Sequence, residues 1–556
     1  MFFLLFQYAA RSFKRFFVKN RAAKIITVFG FFVVFAFLVT VVYFGFRAGF
    51  QYIGKDLFFG DALFLYIVEL FLLVSFILVV ASALISGMFA LFQGGDSPPL
   101  LASPRYQWKP VLVFLRMFLS SLWPLLAIIL PALFAIGNVY GLPLAGFILS
   151  IISVVLVIAL GVMWAMATLF IIAWVLYFLG RRSARFLTFR NFTEVVALSF
   201  LLQLFLVWGR VTTVDLVKFF QARVLDVATP DLSPFLEQFS VLPTHFSAMT
   251  IYLSRTGDLG TAFSYPLYFV PVVLSGALAL YLLGKHHLIL WELFQEHAAP
   301  IVGRAFSVSR LGSFLLRCSR GSSGAIVGKE TIAFMRNSRG LLWLGFILLI
   351  WFLQLGASRI LSHGLGTERV SGDMIPSFVG TFQFAVIIYF VSMFVLRFAF
   401  PSFSSERKTS WIVGSAPVSL GVVFISKLRF FTLLFSALTV AFALLSVFVA
   451  GFSSFLAFLF VLVIVLATFV LTTYGLSLGA IFPNFESDDP EVLSTTLPGL
   501  GFIFGALGYG AFGAYALGLL WRGGSFVPLA LFVTLSFLAV FVLVRLAQQS
   551  LSRAEF

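Results

Sequence analysis

The sequence predicts an all-α integral membrane protein. It predicts about twelve transmembrane helices as two pseudo-symmetric six-helix halves, each preceded by an interfacial amphipathic helix, with both termini cytoplasmic. Three observations lead there. The 556 residues are 61% hydrophobic and only 10% charged, with mean hydropathy +1.09, against about 25% charged in a soluble domain. Apolar runs pass the ~18 residues that mark a membrane-spanning helix again and again. Short motifs also recur at a near-constant offset. Phe17-Val18-Lys19-Asn20 and Phe334-Met335-Arg336-Asn337 each open onto a long apolar run. Leu100-Leu101-Ala102-Ser103-Pro104 and Val413-Gly414-Ser415-Ala416-Pro417 follow, and Arg116 and Arg429 stand 12 residues beyond those prolines.

The first predicted element, residues 1–24, mixes Lys and Arg with Phe13, Phe16, Phe17 and Val18. Its charges follow an apolar start, the reverse of a secretory signal. Such a mixture suits a helix lying in the membrane interface with its basic side chains reaching to headgroups. The first half, 25–286, holds predicted spans near 25–47, 63–90, 111–137, 143–179, 192–210 and 264–284. The run 143–179 is longer than a bilayer needs, and Gly161 is a candidate break. Residues 211–262 form the one large external region, with five acids and with Pro230, Pro234 and Pro243 cutting it into short helices. A linker and second interfacial helix occupy 287–339. The second half, 340–548, holds spans near 340–361, 377–399, 427–450, 454–480, 498–520 and 527–546, and 549–556 is a cytoplasmic tail.

Basic residues set the orientation. With the N-terminus inside, roughly 28 of the 37 Lys and Arg fall on the cytoplasmic side, as the positive-inside rule requires. The net charge of +16 then reflects that bias and attraction to anionic headgroups rather than nucleic acid. A multi-pass protein of a bacterial cytoplasmic membrane is expected.

Motifs that carry chemistry are scarce. Gly324-Ala325-Ile326-Val327-Gly328-Lys329-Glu330-Thr331 imitates a phosphate-binding loop, but Ser323 stands where the first glycine belongs and Glu330 where the metal-binding hydroxyl belongs. The five histidines show no metal-ligand spacing, and Cys318 alone excludes a disulfide framework. No catalytic, cofactor-binding or metal residue is therefore predicted. Glu69 is the acid set furthest into a span. Glu194, Arg210, Arg359, Arg397, Lys427 and Arg429 are read as span-end residues that reach an interface, and no acid–histidine relay is read from the spans.

Three predicted cytoplasmic loops carry the candidate functional residues. Residues 94–110 and 402–420 both start polar, turn apolar, meet a proline and re-enter the membrane at a basic helix start. A short proline-ended helix across the inner face would transmit force from a partner. The coupling candidates are Leu101, Pro104, Arg105 and Trp108 in one loop, and Glu406, Arg407, Trp411, Ser415 and Pro417 in the other. The interfacial helices contribute Lys19, Asn20, Lys329, Glu330, Arg336, Asn337 and Arg339. The third loop is acidic, with Pro483, Asn484, Glu486, Asp488 and Asp489, where the first half has the basic run 181–190.

Several of these stretches resemble the ABC exporter permeases of the type-2 superfamily. Lys329-Glu330 through Arg336-Asn337-Ser338-Arg339 is similar to that family's Lys-acid … Arg-Asp-Pro-Arg helix. Glu406-Arg407 … Trp411-Ile412 … Ser415-Ala416-Pro417-Val418-Ser419 resembles its Glu-Gly-Arg … Trp … Ser-Ala-Pro-Ile-Ser loop. Leu478 to Phe485 resembles its Leu-Gly-Ala-Leu-Phe-Pro-Asn-Phe motif, and Leu242-Pro243-Thr244-His245-Phe246 its Leu-Pro-Ser-His-Trp segment. Asn337-Ser338 and Arg407-Lys408 depart from the pattern. The resemblance implies a transmembrane permease subunit, not catalytic alone, exporting a hydrophobic or amphipathic substrate. It implies two copies of a soluble ATP-binding subunit as partners, ATP and Mg bound on those partners and none in this chain, and no nucleic acid. A secondary transporter of two six-span repeats and a non-transporting scaffold or scramblase are the alternatives.

Overall fold

The structure is a computed structural model. It describes residues 60–92, 106–180, 189–211, 239–296, 322–336, 338–366, 374–409, 418–450, 454–484, 493, 496–521 and 524–553, with scattered residues between 29 and 51. The described residues are helical throughout, with no strand among them. The chain divides into two compact units, one of residues 35–304 and one of 1–34 with 305–556.

The first unit contains α1 (Gly60–Phe92), α2 (Lys109–Tyr140), α3 (Leu144–Gly180), α4 (Phe189–Val211), α5 (Pro243–Thr256), α6 (Leu259–Gly284) and α7 (His287–Glu296). The apolar, 37-residue α3 is its central post, packed against α1, α2, α5 and α6. Gly161 does not break α3. A methyl there would meet Val79 and Phe76 at 3.1–3.3 Å, so the glycine lets α1 approach closely. Two turns do need glycine. Gly141 ends α2 at φ 75° and Gly257 ends α5 at φ 89°, left-handed conformations that favour glycine.

α5 falls within the stretch 211–262. Pro243 occupies its first turn, where a missing N–H costs nothing. Thr244, His245, Ser247, Ala248, Thr250, Ile251 and Ser254 are then buried, and α5 packs against α1, α3 and α6. The burial follows from small and hydroxylated side chains on the packed faces: Ser254 would collide with any side chain at Gly146 of α3. α5 also brings a histidine to an acid far away in sequence. His245 Nδ1 lies 2.5 Å from Glu69 Oε1, bridging 176 residues of sequence.

The second unit contains α8 (Ser322–Arg336), α9 (Ser338–Gly366), α10 (Met374–Phe394), α11 (Leu420–Ala450), α12 (Ser454–Ile481), α13 (Leu497–Trp521) and α14 (Val527–Arg553). α12 packs on α11 and α14, α10 on α13 and α11, and α8 on α11. Its core is aromatic. Trp351 lies between Phe442, at 3.8 Å between ring centres, and Phe390, at 5.0 Å, both nearly parallel to it. Below α10 the backbone widens to a π-turn at Val395–Ala399, then tightens into 3-10 turns at Phe400–Ser402 and Ser404–Thr409. Pro401 cannot supply the N–H that an α-helix would require there.

Eight helices among the described residues are long and apolar enough to cross a membrane, or nine if α8 and α9, bent by 77°, count as one broken span. Twelve spans, the pseudo-symmetry and the side of each terminus are not shown. The predicted span 25–47 lies largely outside the described residues. The apolar stretch of α4 is Asn191–Val207, which is short for a crossing. The outer faces of α6 and α14 leave Leu267, Tyr268, Leu274, Leu278, Phe537, Leu538 and Phe541 more than half exposed. Water does not tolerate continuous apolar faces of that kind, whereas lipid does.

Candidate functional site

The densest polar site of the second unit lies where α8, the turn after α10 and the start of α11 meet. Lys427 is the eighth residue of α11 and is 1% exposed. Its Nζ donates to Glu330 Oε1 at 2.8 Å and to the Ser402 carbonyl at 3.2 Å, and it lies 2.8 Å from Glu406 Oε1. All three ammonium protons thus have an acceptor within reach. Lys329, half-exposed, donates to Glu406 Oε1 at 2.7 Å and lies 3.8 Å from Glu330 Oε1. Two lysines and two glutamates leave the cluster with no net charge. Phe403 closes one side, its ring centre 5.1 Å from Lys427 Nζ.

Local sequence explains the convergence. α8 presents Ser323 and Glu330 seven residues apart, two helical turns along one face. Ser323 Oγ meets Ser426 Oγ at 2.9 Å and Glu330 meets Lys427, so α8 and α11 are joined by two successive rungs. The end of α12 is drawn in too: the Asn484 N–H donates to Ser404 Oγ at 3.0 Å. α12 approaches because Gly479 has no side chain. A methyl there would run into the Phe400 carbonyl oxygen. Burial works against ionisation of Glu406, but the ammonium groups of Lys427 and Lys329 outweigh it and hold the carboxyl below its usual range.

Four predicted residues therefore meet at one place: Lys329, Glu330, Glu406 and, through Ser404, Asn484. Trp108 is exposed and lies 5.1 Å from the ring of Tyr281, in the first unit. Pro483 follows α12 beside Asn484. The backbones of Arg336, Arg339 and Arg407 are helical, but their side chains lie outside what is described, as do Lys19, Asn20, Leu101, Pro104, Arg105, Asn337, Trp411, Ser415, Pro417, Glu486, Asp488 and Asp489. Lys427 is the residue the sequence reading missed. It is not a span-end residue reaching an interface, because two glutamates from other segments make its burial affordable. The signal was an unpaired lysine in an apolar helix, whose partners the sequence cannot assign.

The first unit has its own buried cation. Lys109 Nζ donates to the Leu91 carbonyl at 2.8 Å, and burial lowers its pKa to about 8. His287 is fully buried near the rings of Phe92 and Phe170. Burial first, and then the charge of Lys109, push its pKa down to about 3.

These features define a helical protein with membrane-capable helices and buried ion clusters. The chain belongs to the family described as "Putative ATP-binding cassette", which it matches over residues 19–556. No curated protein and no solved structure matches it.

The family corrects several expectations. Its description attaches an ATP-binding cassette to this chain, and the match runs over nearly its whole length. The reading of a permease subunit, not catalytic alone and energised by separate ATPase subunits, is overturned. So is the placing of ATP and Mg on partner subunits with no cofactor in this chain, and with it the need for two copies of a soluble ATP-binding partner. The alternatives of a secondary transporter or a scaffold fall with that reading.

The described residues do not fit a nucleotide. The segment 324–331 is part of α8, Thr331 Oγ1 donates to the Val327 carbonyl, and Lys329 is held by Glu406. A phosphate-binding loop needs an open glycine-rich turn with a lysine free to reach phosphate. Among the described residues, no three His, Cys, Asp or Glu side chains converge to hold a metal ion.

Proposed function

We propose that the chain is a multi-pass membrane protein of an ABC transporter that exports a hydrophobic or amphipathic substrate. In this reading the cluster of Lys329, Glu330, Glu406 and Lys427 is the joint that moves the second unit's helices together. The observation that carries it is Lys427, buried in an apolar helix and bound at once to α8 and to the turn after α10. Buried ion pairs are a poor source of net stability but a strong constraint on geometry. A force applied at α8 would reach α11 without loss, because two rungs join them. The bend between α8 and α9 supports α8 as an interfacial helix, and the exposed apolar faces of α6 and α14 suit a lipid-soluble cargo.

The test is ATP-dependent transport in everted membrane vesicles, read with a fluorescent phospholipid analogue. Wild-type vesicles should move the probe with ATP and not without it, and Lys427→Met should slow the movement several-fold at equal protein level. Movement that is the same with and without ATP would refute the reading.

A further inference from the structure

The first unit contains a buried acid–base pair that the proposed transport role does not use. Glu69 on α1 is 1% exposed. Its Oε1 lies 2.5 Å from His245 Nδ1, and its Oε2 is buried with no hydrogen-bond partner. The two atoms are within hydrogen-bond reach, so a proton lies between them.

The described cations on the segments packed against α1 here are Arg47, beside Phe46 and Phe50, and Arg255. α3 has no acid or base near this end, since its one titratable residue, Tyr177, lies in its last turn beside Trp174. On α5 itself, the Arg255 guanidinium lies over the rings of Tyr140, at 4.0 Å, and Phe64, at 4.7 Å. The Tyr140 hydroxyl at the end of α2 donates to the Phe50 carbonyl. On α6, Tyr265 and Tyr268 pack around Phe246, and Asp258 is exposed and caps the helix through Thr261.

We propose that Glu69 and His245 form a proton-binding site whose occupancy decides whether α5 stays docked on α1. With its extra proton the pair is carboxylate and imidazolium, with a net charge of zero. When that proton leaves to water, the pair keeps the proton on Nδ1 and carries one negative charge. An uncompensated charge among buried helices is costly, while a neutral hydrogen-bonded pair is tolerated. Undocking of α5 then lets the carboxylate reach water. It also loosens one wall of the small apolar cavity lined by Ile67, Val68 and Leu72 of α1, by Ile129 and Leu133 of α2 and, from α5, by Ile251.

The experiment is infrared titration of the full chain in lipid nanodiscs between about pH 5 and 9, the range in which a histidine pair changes charge. An imidazolium ring band should titrate in the wild type and be absent in His245→Asn. Its midpoint should move by more than about one pH unit in Glu69→Gln. A titration unchanged by either substitution overturns the proposal. Should Glu69→Gln fail to fold, histidine labelled with nitrogen-15 reads the same event in the intact chain. One ring should carry a strongly hydrogen-bonded Nδ1 proton at both ends of the range and lose its Nε2 proton between them. A histidine spectrum in which no such ring titrates also overturns it.

Discussion

Removing the Lys427 ammonium should cost more than any other single charge change in the second unit. Lys427 Nζ reaches Glu330 Oε1 and Glu406 Oε1 at 2.8 Å each and the Ser402 carbonyl at 3.2 Å, and the side chain is 1% exposed. In Lys427→Met the stem is replaced by apolar atoms of similar length, so packing changes little. What remains is two carboxylates with Lys329 as their one counter-ion, a net charge of −1. Both glutamates are 11% exposed and Lys329 is 47% exposed, so water and Lys329 recover part of the loss. Breaking a buried pair costs about 3–5 kcal/mol, and here the lower end, about 3 kcal/mol, is expected. Denaturant unfolding of the full chain in mixed micelles measures it. Adding Glu330→Gln to Lys427→Met brings the cluster back to zero, with Lys329 facing Glu406, and should recover about half. A loss below about 1 kcal/mol, the size of a surface pair, or no recovery in the double variant would refute the ion-cluster account.

Other substitutions probe other parts of the fold. In His287→Phe, acid sensitivity should fall. In the wild type the unfolded imidazole binds a proton near its ordinary pKa of 6.5, whereas the folded one resists until about 3. The wild type therefore loses stability as pH drops from about 6.5 towards 3, and the variant should lose less when unfolding is followed across that range. Lys109 acts with the same sign in a higher window, since its folded pKa of about 8 lies below the ordinary 10.5. Stability should rise as pH climbs from about 8 to 10.5, and in Lys109→Met that rise should vanish. Gly479→Ala should destabilise by ~1–3 kcal/mol because the new methyl meets a backbone carbonyl that cannot turn aside. Trp351→Ala should cost ~3–5 kcal/mol, the range for emptying a buried aromatic site; equal melting of variant and wild type would contradict the stacked core.

The membrane-capable helices were legible because lipid leaves a one-dimensional record. Hydropathy averaged along the chain locates α3 and α12 without any knowledge of neighbours. α5 was not legible, and the reason is physical. Its sequence carries Thr244, His245, Ser247, Thr250, Ser254 and Arg255, which read as an exposed segment by composition. In the fold those small hydroxylated residues let α5 lie close to α3, and polarity there marks packing rather than water. The loop motifs correctly pointed to Lys329, Glu330, Glu406 and Asn484, since charge beside apolar runs is conspicuous. Lys427, which binds Glu330 and Glu406, sits beside Arg429 in an apolar helix, and a pairing across 97 residues leaves no local trace.

The two buried ion sites differ in a way that decides what each can do. The cluster around Lys427 is neutral, every proton of the Lys427 ammonium has an acceptor, and four segments contribute to it. A proton added to Glu406 would leave a buried lysine short of a counter-charge, and the lysines beside it hold that carboxyl below its usual range, so the cluster behaves as a fixed joint. The Glu69–His245 pair has one bond and one carboxylate oxygen without a partner. Its charge changes by one for each proton exchanged. Rigid coupling favours the first arrangement, and a response to protons favours the second. Hydrogen-bond satisfaction, more than the presence of charge, is what separates the joint from the switch.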